Sequence, residues 1–102
     1  MLIWSDNAVA NITEFINHSA NRQKAQDYMA KLVDYVDHLR KMKKLGKDFE
    51  YSIFDYELRQ LIYKNHRILY SIKGNDIIIF AILHSKMDIE KALKRLKRDF
   101  DR

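Results

Sequence analysis

Residues 65–85 read NHRILYSIKGNDIIIFAILHS and contain two apolar segments separated by one glycine. The pattern predicts a strand over 66–73, a tight turn at Gly74 and Asn75, and a second strand over 77–83. A strand with only one covered face alternates apolar and polar residues, whereas the second strand is apolar on both faces. Its two predicted faces are Ile77, Ile79, Ala81 and Leu83, and Ile78, Phe80 and Ile82. We therefore predict a central strand, with a helical hairpin over one face and another element over the other.

Two segments earlier in the chain extend the predicted sheet. YELRQLIY (56–63) is rich in apolar and aromatic residues, and Lys64 and Asn65 suit a tight turn into the next strand. LIW (2–4) is a short apolar run that fits an edge strand or a cap on the core. The last three predicted strands are joined by short turns, so they form an antiparallel meander.

Three helices are indicated by apolar residues at three- and four-residue spacing. The first covers 6–18 and begins at a cap on Ser5 or Asp6, and the second covers 22–43 after a cap on Asn21. Gly46 suits a left-handed stop for the second helix. The third begins after Asp88 and carries basic residues on its polar side.

The fold class that follows is α+β, in the element order β-α-α-β-β-β-α. A short N-terminal strand and an antiparallel helical hairpin pack on a three- to four-stranded antiparallel meander, and a helix ends the chain. With 102 residues, we expect 1–102 to form a single domain.

Composition narrows the class of protein. Cysteine is absent, and the sequence has neither a secretory leader nor a long apolar run, so we expect a cytoplasmic protein without a membrane span. Residues 1–39 hold three basic and five acidic groups, whereas residues 40–102 hold 16 and nine. This asymmetry favours an anionic partner such as nucleic acid, a ribosome or an acidic protein segment, although a solvated lysine-rich surface explains it as well.

No residue pattern indicates a metal, a cofactor or a nucleophilic serine. The remaining candidates are Arg59, Arg67, Tyr70, His84 and Lys86. Arg67 either pairs with Glu57 or Asp55 or contacts a phosphate or an acidic partner. His84 either titrates near neutrality or is simply solvated at a strand end. Tyr70 fits a core aromatic residue with a solvated hydroxyl.

Four segments together resemble the RelE/ParE family of toxins from bacterial type II toxin–antitoxin systems, the plasmid-stabilisation type. They are IWSDNAVANITEFI (3–16), Leu45-Gly46-Lys47, YELRQLIYKNHRILYSI (56–72) and IIIFAILHSKMD (77–88). The resemblance implies a cytoplasmic growth inhibitor that a cognate antitoxin neutralises by covering the surplus apolar strand face.

Two activities are implied by this family. A ParE-like poison of DNA gyrase is favoured, and the alternative is a RelE-like ribosome-dependent messenger RNA endoribonuclease, or an inactive relative that only binds its antitoxin. For the nuclease, Arg67 and His84 would be catalytic. However, Met87 stands where such enzymes have a second arginine, and their lysine pair has no counterpart in residues 56–61. Binding of a partner or target is assigned to Arg59, Tyr70, Lys86, Lys94, Arg95 and Arg98.

Overall fold

The computed structural model describes residues 1–53 and 56–100, and their side chains except those of 50–53, 56, 99 and 100. The strands are β1 (Leu2–Trp4), β2 (Lys47–Ile53), β3 (Tyr56–Tyr63), β4 (His66–Lys73) and β5 (Asp76–His84). The helices are α1 (Asp6–Asn17), α2 (Arg22–Val36) and α3 (Ile89–Phe100), with a 3-10 turn at Asp37–Arg40. The α+β class is confirmed, with β2 as one strand more than the predicted order contained.

The strands form one sheet in the order β1-β5-β4-β3-β2. β1 runs parallel to β5, and the other neighbours are antiparallel. The predicted meander therefore has four strands. Both predicted turns are present: Lys64 adopts a φ of 50°, and Gly74 a φ of 61°, in the two-residue connections of adjacent hairpins.

The helical hairpin covers one side of the sheet, here called the hairpin face. The Ser5 hydroxyl accepts the Ala8 N–H at the start of α1, and the Asn21 side chain accepts the Lys24 N–H at the start of α2, as predicted. The buried core on this side draws on both helices and on four strands of the sheet: Leu2, Ala8, Met29, Leu32, Val36, Leu39, Leu61, Ile68, Tyr70, Ile77, Ile79 and Ile82.

The opposite side of the sheet, here called the α3 face, is covered by the C-terminal helix. Leu93 and Leu96 of α3 pack in one buried cluster with Leu58, Leu69, Phe80, Ala81 and Leu83. The prediction that β5 is central and covered on both sides is confirmed. The second cover is the chain's own helix, so the strand face that we expected an antitoxin to cover is already buried in part.

The predicted faces of β5 are wrong beyond Phe80, because a β-bulge lies at that residue. Leu69 pairs with Ala81, but Tyr70 pairs with Ile79, so Phe80 is the extra residue. The Phe80 carbonyl accepts hydrogen bonds from the side chains of Ser5 and Asn7 at the start of α1, at 3.0 and 3.1 Å. Beyond the bulge the faces exchange. Ile82 lies in the hairpin-face core, whereas Ala81 and Leu83 lie in the α3-face core.

The second helix ends earlier than predicted, and Gly46 serves another purpose. α2 ends at Val36 and not at residue 43, because the chain beyond the 3-10 turn is held to β4 by the Tyr70 hydroxyl. That hydroxyl donates to the Lys43 carbonyl and accepts the Gly46 N–H, both at 2.9 Å. Of the two glycines, both described, only Gly74 has positive φ. A Cβ on Gly46 would lie 2.6 Å from the Gln60 carbonyl oxygen and 2.7 Å from the Tyr70 ring. Glycine is therefore required because the backbone at residue 46 lies so close to β3 and to Tyr70.

None of the described helices combines the length and the apolar character that crossing a membrane requires.

Candidate functional site

Arg67 lies near the end of the sheet where β3 turns into β4. It pairs with Ile62 on β3 and with Leu83 on β5, and this places it on the α3 face. Its guanidinium donates to the Gln60 side-chain oxygen at 3.5 Å, which is a long hydrogen bond. Within the described residues no carboxylate forms an ion pair with it, so the predicted pairing with Glu57 is wrong. Asp55, the other predicted partner, lies outside the described residues.

His84 lies on the other side of the sheet from Arg67. It pairs with His66, whose ring lies 5.4 Å away at 76° on the hairpin face. Its Nδ1 accepts the backbone N–H of Lys86 at 3.1 Å, and its ring is exposed. The bulge at Phe80 causes this separation: without the extra residue, Arg67 would pair with Ile82 and share a face with His84. The structure therefore does not bring the two predicted catalytic groups together.

His66 is a buried polar residue that the sequence analysis did not select. It is 6% exposed, its Nδ1 lies 2.7 Å from the Tyr28 hydroxyl, and the Phe15 ring meets it edge-on at 5.2 Å. Burial lowers the pKa of His66, and the neighbouring charge on His84 lowers it further. Burial also raises the pKa of Tyr28, so the tyrosine hydroxyl keeps its proton. The tautomer of His66 decides which of the two groups donates in the hydrogen bond between them. The signal available in the sequence was the position of His66 on the same strand face as Ile68 and Tyr70.

A cavity of about 230 Å³ adjoins the two histidines on the hairpin face. Its lining includes Glu14, His18, His66, His84 and Met87. Among residues 1–49 and 57–98, whose side chains are described, no group of three histidine, cysteine or carboxylate side chains is arranged to hold a metal ion.

We expect His66 to make the folded state less stable in acid. Because its pKa is lower in the folded state than the ordinary 6.5, its contribution is complete above pH 6.5 and is lost as the pH falls below that value. His66→Gln, which retains a side-chain acceptor for Tyr28, should therefore flatten the fall in the free energy of unfolding between about pH 7.5 and pH 5. Urea unfolding at several pH values measures this. The control, His38→Gln, changes an exposed histidine away from the cavity and should leave the slope intact; equal slopes in all three proteins would contradict the assignment.

Arg59 and Tyr70 connect the sheet to the segment before β2. Arg59 pairs with Asp48 and donates to the Gly46 carbonyl, and its Nε lies 3.3 Å from the Tyr70 hydroxyl. Tyr70 is 0% exposed. The prediction that its hydroxyl is solvated is therefore wrong. These contacts give both residues a structural role, and their predicted part in binding stays a prediction.

The other predicted binding residues are surface cations at and beyond the end of β5. Lys86, Lys94, Arg95 and Arg98 are all exposed. None of them forms an ion pair with another residue of the described part of the chain. Asp88 accepts the Lys91 N–H and caps α3, as predicted.

A larger cleft of about 480 Å³ separates α1 from α3 beside β5. It lies where β1 has ended: β1 pairs with β5 only as far as Ile79, so the later residues of β5 have β4 on one side and no strand on the other. Asn11 of α1 covers this free edge by accepting the Ile82 N–H at 2.9 Å. The apolar floor of the cleft is formed by Ala81, Leu83, Leu93 and Leu96, and its wall on α1 by Asn7, Asn11 and Glu14. The opposite wall contains the cations Lys91 and Arg95 of α3, together with Asp88, the cap of that helix.

Met87 lines both the small cavity and the cleft, and it is 47% exposed. The residue at the position that the resemblance gives to a second nuclease arginine is therefore an exposed apolar side chain where the cavity and the cleft meet. A thioether offers no charge to a phosphate.

Comparisons with known proteins agree with this fold. A chain from "Chromosomal ParDE TA system from P. aeruginosa" has a TM-score of 0.71 and 21% sequence identity, and the match covers 83% of this chain and 95% of that chain. This likeness shows the shared fold. A search of curated protein sequences gave no match.

The family model described as "ParE toxin of type II toxin-antitoxin system, parDE" matches residues 2–89. This match over most of the chain defines the class, which is that of the small toxins of type II toxin–antitoxin modules. Within that class, the chain belongs to the ParE toxin family. The resemblance found in the sequence is confirmed, and a cognate antitoxin is the partner that this family implies.

Proposed function

We propose that this toxin inhibits DNA gyrase, acts in the cytoplasm and is neutralised there by its cognate antitoxin. The placement of Arg67 and His84 on opposite faces of the sheet carries the proposal. Cleavage of RNA requires a group that takes the 2′-hydroxyl proton and a cation that stabilises the charge on the same phosphate. Two groups separated by the thickness of a sheet do not meet that requirement.

The surroundings of the two groups support the same conclusion. His84 faces a cavity that it shares with the buried His66, and the guanidinium of Arg67 donates a hydrogen bond to the neutral side chain of Gln60. Met87 adds no positive charge between them. Inhibition of gyrase needs no chemistry by the toxin itself, only a surface that binds, so we assign this function to the surface cations: Arg67, Lys86, Lys94, Arg95 and Arg98.

The cleft between α1 and α3 is where we place the antitoxin. An apolar floor beside Lys91 and Arg95 matches an amphipathic segment with apolar side chains on one side and carboxylates on the other. A segment bound there would cover the edge of β5 that β1 leaves free beyond Ile79, without displacing α3.

The experiment compares the proposed target with the alternative in living bacteria. We expect expression of the toxin alone to arrest growth and to induce the DNA-damage response, with messenger RNA intact. Arg67→Ala should reduce growth arrest, because it removes a surface cation, whereas His84→Ala should leave arrest unchanged. Ribosome-dependent cleavage of messenger RNA that both substitutions abolish would instead favour the nuclease. Absence of any growth effect, with a tight antitoxin complex, would favour an inactive relative.

A further inference from the structure

Helix α3 carries five positive side chains that its packing leaves in solvent. Leu93 and Leu96 bury one side of the helix against the sheet. Lys91, Lys94, Arg95 and Arg98 recur at three- and four-residue spacing on the opposite side, with Lys97 beside them, and all five are exposed. No ion pair within the described part of the chain neutralises any of them.

Within residues 86–98, the negative charges lie only near the start. Residues 86–98 contain six cations and two acids, and the acids, Asp88 and Glu90, lie at the start of the helix. Asp88 is occupied as the cap of α3. Among residues 91–98, the exposed side chains are therefore all positive, and they lie toward the C-terminal end of the helix, where the helix dipole favours cations.

This surface fits a polyanion and not a lipid bilayer. A basic amphipathic helix binds a membrane by inserting its apolar side between the lipids. In α3 that side is already used, since Leu93 is 7% and Leu96 is 4% exposed. Binding through α3 in its folded position must therefore be electrostatic.

We propose that the outer surface of α3 binds the phosphate backbone of duplex DNA, without gyrase and without sequence preference. Residues 91 and 98 are separated by roughly 10 Å along the axis of a helix, a length over which both strands of a duplex offer several phosphates. Single-stranded RNA is bound chiefly by stacking of bases on exposed aromatic rings. Residues 89–98, the part of α3 with described side chains, contain no aromatic residue.

The inference does not depend on the proposed inhibition of gyrase. It concerns the purified toxin and DNA alone, so each can fail while the other holds. If it holds, the toxin accumulates on the substrate of the enzyme that we propose it inhibits.

The test is fluorescence anisotropy of a labelled mixed-sequence DNA duplex with the full chain at increasing salt. The logarithm of the affinity should fall by about 0.9 per phosphate contact for each tenfold rise in salt. Lys94→Gln, Lys97→Gln and Arg98→Gln combined should reduce this slope by about 2.7 and weaken binding more than about 100-fold near 50 mM salt. These three residues lie outside the cleft, so antitoxin binding should remain.

A matched variant keeps the result falsifiable. Arg22→Gln, Lys24→Gln and Lys31→Gln remove the same number of charges from exposed positions of α2 and should leave both slope and affinity close to wild type. Thermal unfolding of both variants excludes loss of fold as the cause. Equal weakening by both variants, no weakening by either, tighter binding of single-stranded RNA, or tighter binding of anionic vesicles would each overturn the proposal.

Discussion

Gly46→Ala should destabilise the protein by about 3 kcal/mol, since an added methyl group at a packed position forces the backbone and its neighbours apart. For a domain of this size the loss corresponds to a fall in melting temperature of roughly 12–24 °C. The atoms that the new Cβ meets are the Gln60 carbonyl oxygen and the ring and hydroxyl of Tyr70. The carbonyl belongs to the sheet and cannot yield, and movement of Tyr70 would release the Lys43 and Gly46 backbone groups that its hydroxyl binds.

Gly74→Ala is the control, because it changes the same residue type with nothing within 4 Å of the new Cβ. The only expected loss of stability is that of placing alanine in a left-handed backbone conformation, roughly 1–2 kcal/mol. Tyr70→Phe combined with Gly46→Ala should cost less than the sum of the two single changes, since one close contact disappears. If Gly46→Ala unfolds at the same denaturant concentration as Gly74→Ala, the segment before β2 is not held against Tyr70 as described.

Reversal of two charges in the cleft should produce the largest change in antitoxin binding. Lys91→Glu with Arg95→Glu places negative charges where we propose that antitoxin carboxylates lie, and like charges at an interface cost several kcal/mol. The dissociation constant should rise by about 100-fold or more. Titration calorimetry with the purified antitoxin measures this directly, and co-expression should no longer restore growth.

Lys24→Glu with Lys31→Glu changes the net charge of the toxin by the same amount on the exposed side of α2. This control should reduce the affinity only slightly, because it weakens the long-range attraction between toxin and antitoxin. The small difference from wild type should disappear at high salt, which screens that attraction. If the two double variants lose affinity equally, the antitoxin is attracted by net charge and does not occupy the cleft.

Much of the sheet could be predicted from the sequence because its turns are marked by particular residues. Gly74 and the Lys64-Asn65 pair indicate the two hairpins. The segment 77–83 indicates a buried strand because it is apolar on both faces. β2 was missed although Phe49, Tyr51 and Ile53 alternate with polar residues, a strand pattern in a segment taken as a connection. The end of α2 was placed too late, because the tertiary contacts of Tyr70 with Lys43 and Gly46 are not visible in local periodicity.

The arrangement of the site depends on a feature that the sequence conceals. Register is encoded by the difference between the two faces of a strand, and β5 is apolar on both. The extra residue at Phe80 therefore leaves no trace in the pattern, although it decides that Arg67 and His84 face opposite ways. Their separation is visible only once the pairing with β4 and the hydrogen bonds of Ser5 and Asn7 to Phe80 are known.

The most direct measurement is DNA cleavage by purified gyrase in the presence of the toxin, run beside ribosome-dependent cleavage of messenger RNA by the same preparation. We predict that double-strand breaks trapped on gyrase increase with toxin concentration, that stoichiometric antitoxin prevents this, and that the messenger RNA stays whole. Intact DNA together with messenger RNA cut only when ribosomes are present would contradict the account, because an Arg67 and a His84 on opposite sides of one sheet would then have to serve a single phosphate.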